Sequence, residues 1–172
     1  SHALLETLAS VHAAGIVHGD LKPSNVLVTA SGIPMLLDFG LSQGRYGEDV
    51  VEGYAFEATP AYCAPEHRGK EALTPRSDLY SIGVMLFEAL TGMLPHASMG
   101  QVTPPLMLVA PLVPPLVAGV IDLLLSPSPE DRPRSAADVL AMLRGTYTAQ
   151  LAPLPRFDGG AAVRDIIEHV AT

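Results

Sequence analysis

Leu4, Leu5, Leu8 and Val11, with His12 on the same stripe, recur at the spacing of one helix face, and Gly15 ends the run. The spacing predicts a helix over residues 2–14. Three short apolar runs follow, Ile16-Val17, Val26-Leu27-Val28 and Met35-Leu36-Leu37. Between the last two lies Thr29-Ala30-Ser31-Gly32-Ile33-Pro34, a turn-rich link that predicts a β-hairpin. Such a hairpin sets Asn25 and Asp38 at neighbouring strand ends. From Leu41 to Cys63 no period is sustained, which predicts a loop. Residues 78–91 are apolar nearly all round, the pattern of a buried helix, and Gly92 closes it. Two more helices are expected at about 115–125 and 135–144, the second capped by Ser135.

Residues 102–121 carry no charge and match a bilayer span in length. Pro104, Pro105, Pro111, Pro114 and Pro115 interrupt them, and each removes a backbone donor and crowds the preceding turn. A proline-rich, partly buried connection is therefore favoured over a membrane helix. Beyond Gly145, residues 146–162 are rich in Pro, Ala and Gly and read as a linker. The amphipathic stretch 163–170 is either a solvated tail or the opening of a further domain. The pattern divides the chain into one globular unit over 1–144 and a linker with the start of another helix over 145–172. The first residues lack a basic segment and an unbroken apolar core, so no secretory leader is expected.

Composition narrows the class. With 172 residues, 48% hydrophobic and 16% charged, the chain fits one folded domain and not a disordered one. A formal net charge of −8 counts against a nucleic-acid surface, which needs a basic patch, and serves ordinary solubility. The single cysteine, Cys63, cannot form an internal disulfide, so a reducing, cytoplasmic setting is expected. The six histidines show no zinc-like spacing.

The densest chemistry lies in His18-Gly19-Asp20-Leu21-Lys22-Pro23-Ser24-Asn25, followed by Asp38-Phe39-Gly40 and Ala64-Pro65-Glu66. A carboxylate, a lysine two residues on and an asparagine three beyond that supply what phosphoryl transfer needs: a proton acceptor, a cation and an oxygen ligand for magnesium. Asp and Asn also shape turns without any chemistry, but three such segments in this order outweigh that reading. Together they resemble the catalytic loop, magnesium loop and end of the activation segment of eukaryotic-like, bacterial-type serine/threonine protein kinases.

The resemblance covers residues 1 to about 144 and only the large C-terminal lobe, because no Gly-rich loop or lysine strand of a small N-lobe precedes it. It implies a mainly α fold with short β-hairpins, the C-lobe of the α+β kinase fold. It implies ATP and Mg2+ as cofactors, a protein substrate, and a missing N-lobe or complementary chain as partner, with neither nucleic acid nor membrane. By the same resemblance Asp20 is the catalytic base and Lys22 steadies the transferred phosphoryl group. Asn25 and Asp38 hold magnesium, Thr59 contacts Asp20 and Lys22, and Leu27, with Met85 and Ala89, lies beneath the adenine. Asp78 matches an aspartate that accepts backbone hydrogen bonds from the catalytic loop, and Tyr80 and Gly83 complete its motif. Glu66 and Arg132 match a pair that pins the activation segment. His18 and Phe39 match a regulatory hydrophobic column, although plain core packing accounts for them equally.

Gly19 departs from the pattern. Many kinases carry there an arginine that binds a phosphate on the activation loop, and here no serine or threonine lies between Ser42 and Thr59. The expectation is a kinase of the type lacking that arginine, not switched by loop phosphorylation, with Tyr46 and Tyr54 the only phenols there. The isolated chain is expected to be inactive for want of the N-lobe. The alternative is a catalytically inactive kinase-like interaction module or the remnant of a split kinase.

Overall fold

The computed structural model describes residues 2–39, 43–44, 61–68, 72–95 and 103–147. A helix, α1 (His2–Ala13), leads into a two-residue strand, β1 (Ile16–Val17). A single 3-10 turn at Pro23–Asn25 feeds β2 (Val26–Val28), which turns back as β3 (Pro34–Leu36). The hairpin register pairs Val26 with Leu36, Leu27 with Met35 and Val28 with Pro34. Side chains alternate across a strand. Accordingly Pro34 is buried and Leu36 packs on the core, while Leu27 and Met35 stay about half exposed. The expected loop from Leu41 holds one element that periodicity cannot show: β4 (Gln43–Gly44) pairs antiparallel with β1.

The longest helix among the described residues, α3 (Pro75–Thr91), follows a single-turn helix, α2 (Pro65–Arg68). It starts three residues before the apolar run, since Pro75 brings a helix-ready φ to the first position and Ser77 Oγ accepts the Thr74 N–H at 3.2 Å. Gly92 closes it in the left-handed conformation, donating to the Glu88 carbonyl at 2.7 Å. The uncharged stretch divides into α4 (Leu106–Val109) and α5 (Pro115–Leu124), with Pro105 and Pro114 just outside their first turns. Among the described residues no helix is long and apolar enough to cross a membrane. The last helix, α6 (Ala136–Tyr147), is capped as expected, the Asp138 N–H donating to Ser135 Oγ at 3.1 Å. It passes through Gly145 and ends three residues beyond the expected limit at 144, because glycine in a helix costs only about 1 kcal/mol. Residues 148–172, the expected linker and tail, lie outside the described residues.

Two apolar clusters meet across α3. One joins Leu5 and Leu8 of α1, Leu21, Leu79 and Ile82 of α3, and side chains of α5 and α6. The other joins Tyr80, Val84 and Phe87 of α3 with Ala64, Leu106, Ala118, Ile121 and Leu125. Gly83 lets α3 and α5 approach: a Cβ there would sit 2.8 Å from Leu124 Cβ, closer than carbon atoms pack. The result is a mainly helical body with two small antiparallel ribbons, and α3 runs through its middle.

Candidate active site

The first turn of α3 carries Asp78, which is 1% exposed. A carboxylate so buried requires several donors, and it has them. Its Oδ2 accepts the His18 N–H at 2.9 Å and faces His12 Nε2 at 2.8 Å, while Oδ1 accepts the Gly19 N–H at 2.8 Å. The loop after β1 is thus tied by its backbone to a core helix. Gly19 takes φ +79° there, a conformation that costs glycine nothing and other residues a good deal. His18 is fully buried. Its Nδ1 accepts the Asp20 N–H at 3.3 Å, so its Nε2 carries the proton and donates to the Leu37 carbonyl at 3.0 Å. The His18 and Phe39 rings lie 4.8 Å apart, as the sequence resemblance suggests.

Asp20, Lys22 and Asn25 form one cluster above this anchor. Lys22 Nζ lies 2.7 Å from Asp20 Oδ2, and Asn25 Nδ2 donates to the Asp20 carbonyl at 2.8 Å and to its Oδ2 at 3.2 Å. The Leu37 N–H donates to the Asn25 carbonyl at 2.8 Å, which brings Asp38 to the neighbouring strand end as the hairpin pattern predicted. Among the described residues Asp38 is the one non-glycine residue with positive φ, at 59°. That conformation is strained for an L residue, and strain of this kind gathers at functional sites. Leu27, Met35, Leu37 and Phe39, between 38% and 50% exposed, give the hairpin an apolar surface beside the polar cluster. Thr59 lies outside the described residues, as do Gly40, Tyr46 and Tyr54.

The donor set suits magnesium. Asn25 uses its Nδ2 on Asp20, so the polar atom left on that amide is an oxygen, and Asp38 adds a carboxylate. Magnesium takes one or two such protein oxygens together with substrate phosphates. Among the described residues no group of three His, Cys, Asp or Glu could hold a metal ion.

Below the cluster, residues 61–68 lie against α3. Glu66 and Arg132 form a two-pronged pair at 2.7 and 2.8 Å, both side chains almost wholly buried. Ser77 Oγ adds a bond to Glu66 Oε1 at 2.9 Å. Burial disfavours the Glu66 carboxylate, yet the bonds from Arg132, its own backbone and Ser77 outweigh it and hold the group below its ordinary pKa. The guanidinium also covers the Tyr80 ring, 4.8 Å from its centroid. The Tyr62 hydroxyl donates to Glu88 Oε2 at 2.6 Å, and Ser81 Oγ donates to the Tyr62 carbonyl at 2.8 Å.

The fold therefore brings together Asp20, Lys22, Asn25 and Asp38, sets Leu27 on the adjoining apolar surface, and joins Glu66 to Arg132. Met85 is only partly buried, packed against the first core cluster. Two contacts escaped sequence reasoning. His12 reads only as part of a helix face, and its sole signal is that a buried aspartate needs a donor. Tyr62 and Glu88 are 26 residues apart and share no motif.

The family described as the protein kinase domain matches residues 1–110. Serine/threonine-protein kinase PknA of Mycobacterium tuberculosis is 36% identical over 150 residues, covering 80% of this chain and 34% of that protein. PknK of the same organism is 36% identical over 155 residues, 82% of this chain and 14% of its own length. The probable serine/threonine-protein kinase PkwA of Thermomonospora curvata is 33% identical over 157 residues, 88% and 21% respectively. The chain thus spans about a third or less of these curated relatives.

Proposed function

This chain belongs to the protein kinase family, and on that footing we propose that it is the large lobe of a serine/threonine kinase transferring the ATP γ-phosphoryl group to a protein hydroxyl. The observation that carries this reading is the Asp20–Lys22–Asn25 cluster, tied through the Asn25 carbonyl to the strand that ends at Asp38.

In this reading Asp20 Oδ accepts the proton of the substrate hydroxyl, held in place by the Asn25 amide. Lys22, now paired with Asp20, turns its ammonium to the transferred phosphoryl oxygens. Asn25 and Asp38 hold magnesium, and bound Mg2+ supplies charge that offsets the phosphates. The exposed Leu27 surface receives the adenine ring, and Thr59 contacts Asp20 and Lys22. A small lobe closes the nucleotide site from the other side, so residues 1–172 alone bind ATP weakly. Gly19 leaves the site without an arginine for a loop phosphate, and the setting is cytoplasmic.

The test is phosphate transfer by the complete kinase, small lobe included. Asp20→Asn and Asp38→Asn should each abolish radiolabel transfer while leaving unfolding unchanged, since both groups serve the site and not the core. Near-normal transfer by either variant would refute the assignment. The exposed Leu27, Met35, Leu37 and Phe39 surface also suits a kinase-like interaction module that binds a partner without turnover. An inactive wild-type protein that still binds such a partner would favour that second reading.

A further inference from the structure

Helices α5 and α6 and the turn that joins them leave an open groove of about 540 Å³. Leu123, Pro133 and Met142 give it an apolar lining, and Leu123 and Met142 are 41% and 36% exposed. Charges rim it. Arg76 is bonded to Glu130 at 2.6 Å, and Asp131, Asp138 and Arg134 complete the rim. Arg132, at the base, is already spent on Glu66. Three rim carboxylates against two arginines leave the edge net negative around an apolar centre, the anatomy of a surface that receives an amphipathic helix. None of these side chains belongs to the Asp20 cluster.

The sequence beyond α6 carries a matching stripe. Val163, Ile166, Ile167 and Val170 recur at i, i+3, i+4 and i+7, one face of a helix. Arg164 borders that stripe, about 100° round from Val163, while Asp165 and Glu168 fall on the opposite side. A helix this short is marginal in water and needs a surface for its apolar face. Residues 148–162, rich in Pro, Gly and Ala, reach on the order of 20 Å as a flexible chain. Met142 and Asp138 lie only ~8 and ~14 Å back along α6 from its end at Tyr147. The groove is within reach of the tether, which presents the segment at an effective concentration on the order of 1 mM. Leu108 and Leu112 are also exposed, but residues 102–121 carry no charge and so offer Arg164 no carboxylate of their own.

We propose that residues 163–170 dock as an amphipathic helix in the groove between α5 and α6 of their own chain. Val163, Ile166, Ile167 and Val170 cover Leu123 and Met142, and Arg164 meets the Asp131 and Asp138 carboxylates. The inference goes beyond the kinase reading and does not depend on phosphoryl transfer.

The experiment is amide hydrogen exchange read by mass spectrometry on the complete protein, at two protein concentrations. Wild type is compared with the double variant Ile166→Asp with Ile167→Asp, with Met142→Glu, with Arg164→Glu, and with Arg164→Glu combined with Asp138→Arg. Exchange over residues 163–170 should be about tenfold slower in wild type than in the double Asp variant, the ratio of ~1 mM to an intrinsic dissociation constant on the order of 0.1 mM. Met142→Glu, which alters only the groove, should speed exchange in the distant segment to the same extent. Arg164→Glu should lose part of the slowing, and the charge swap with Asp138→Arg should restore it. Wild-type exchange as fast as in the double Asp variant overturns the proposal. So does slowing that survives Met142→Glu, because another surface then covers the stripe. Slowing that grows with protein concentration overturns it in favour of a second copy. A charge swap no better than Arg164→Glu alone overturns the choice of groove.

Discussion

Replacing Arg132 with alanine strands several buried polar groups at once. All five guanidinium donors are used: Nε on the Ser126 carbonyl, Nη1 on Glu66 and the Arg76 carbonyl, and Nη2 on Glu66 and the Pro127 carbonyl. Truncation leaves the buried Glu66 carboxylate without its counter-charge and removes the donor from three carbonyls. Breaking a buried pair from one side costs about 3–5 kcal/mol. In a domain of this size each kcal/mol moves the midpoint by about 2–4 °C, so the unfolding temperature should fall by roughly 6–20 °C. Differential scanning calorimetry at neutral pH measures this directly. Arg132→Lys keeps the charge but not the planar fork, and should recover only part of the loss. The double variant Glu66→Gln with Arg132→Met removes the stranded charge and should be more stable than Arg132→Ala alone. A drop below about 2 °C for Arg132→Ala would refute the reasoning.

Gly83→Ala should destabilise the fold by about 1–3 kcal/mol through overpacking against Leu124, visible in urea denaturation, whereas Gly119→Ala, with open space around it, should not. Stability should decline on the acid side in two stages. Burial holds the His67 pKa below its ordinary 6.5, so as pH falls below that value the unfolded chain takes up a proton that the fold resists. Glu66, held below its ordinary 4.5, contributes stability above that value and loses it as pH falls through its lower folded pKa. Denaturation midpoints measured against pH should show both stages, and His67→Gln should remove the first. Phosphatase treatment of the complete kinase should leave its activity essentially unchanged, and a large loss would reveal a phosphate switch that Gly19 and the bare loop argue against.

Local rules made much of this protein legible from its sequence. Helical patterning found α1, α5 and α6, and a run apolar nearly all round found the buried α3. The turn-rich link between Val28 and Met35 marked the hairpin, and the hairpin's parity set Asn25 beside Asp38. The polar triplet around Asp20 was readable because its members lie within six residues and share one loop. Boundaries were less legible: Pro75 and the turn through Gly145 extend helices by backbone geometry that an apolar pattern does not record. Contacts between distant segments were legible only through family likeness, as with Glu66 and Arg132, or not at all. The β1–β4 ribbon, the His12–Asp78 pair and the Tyr62–Glu88 bond join residues many positions apart, and no local period encodes their meeting. Tertiary packing decides them: once α3 is buried, its Asp78, Ser77, Ser81 and Glu88 must find partners among whatever segments the core brings alongside, because an unpaired buried polar group costs more than the fold can spare.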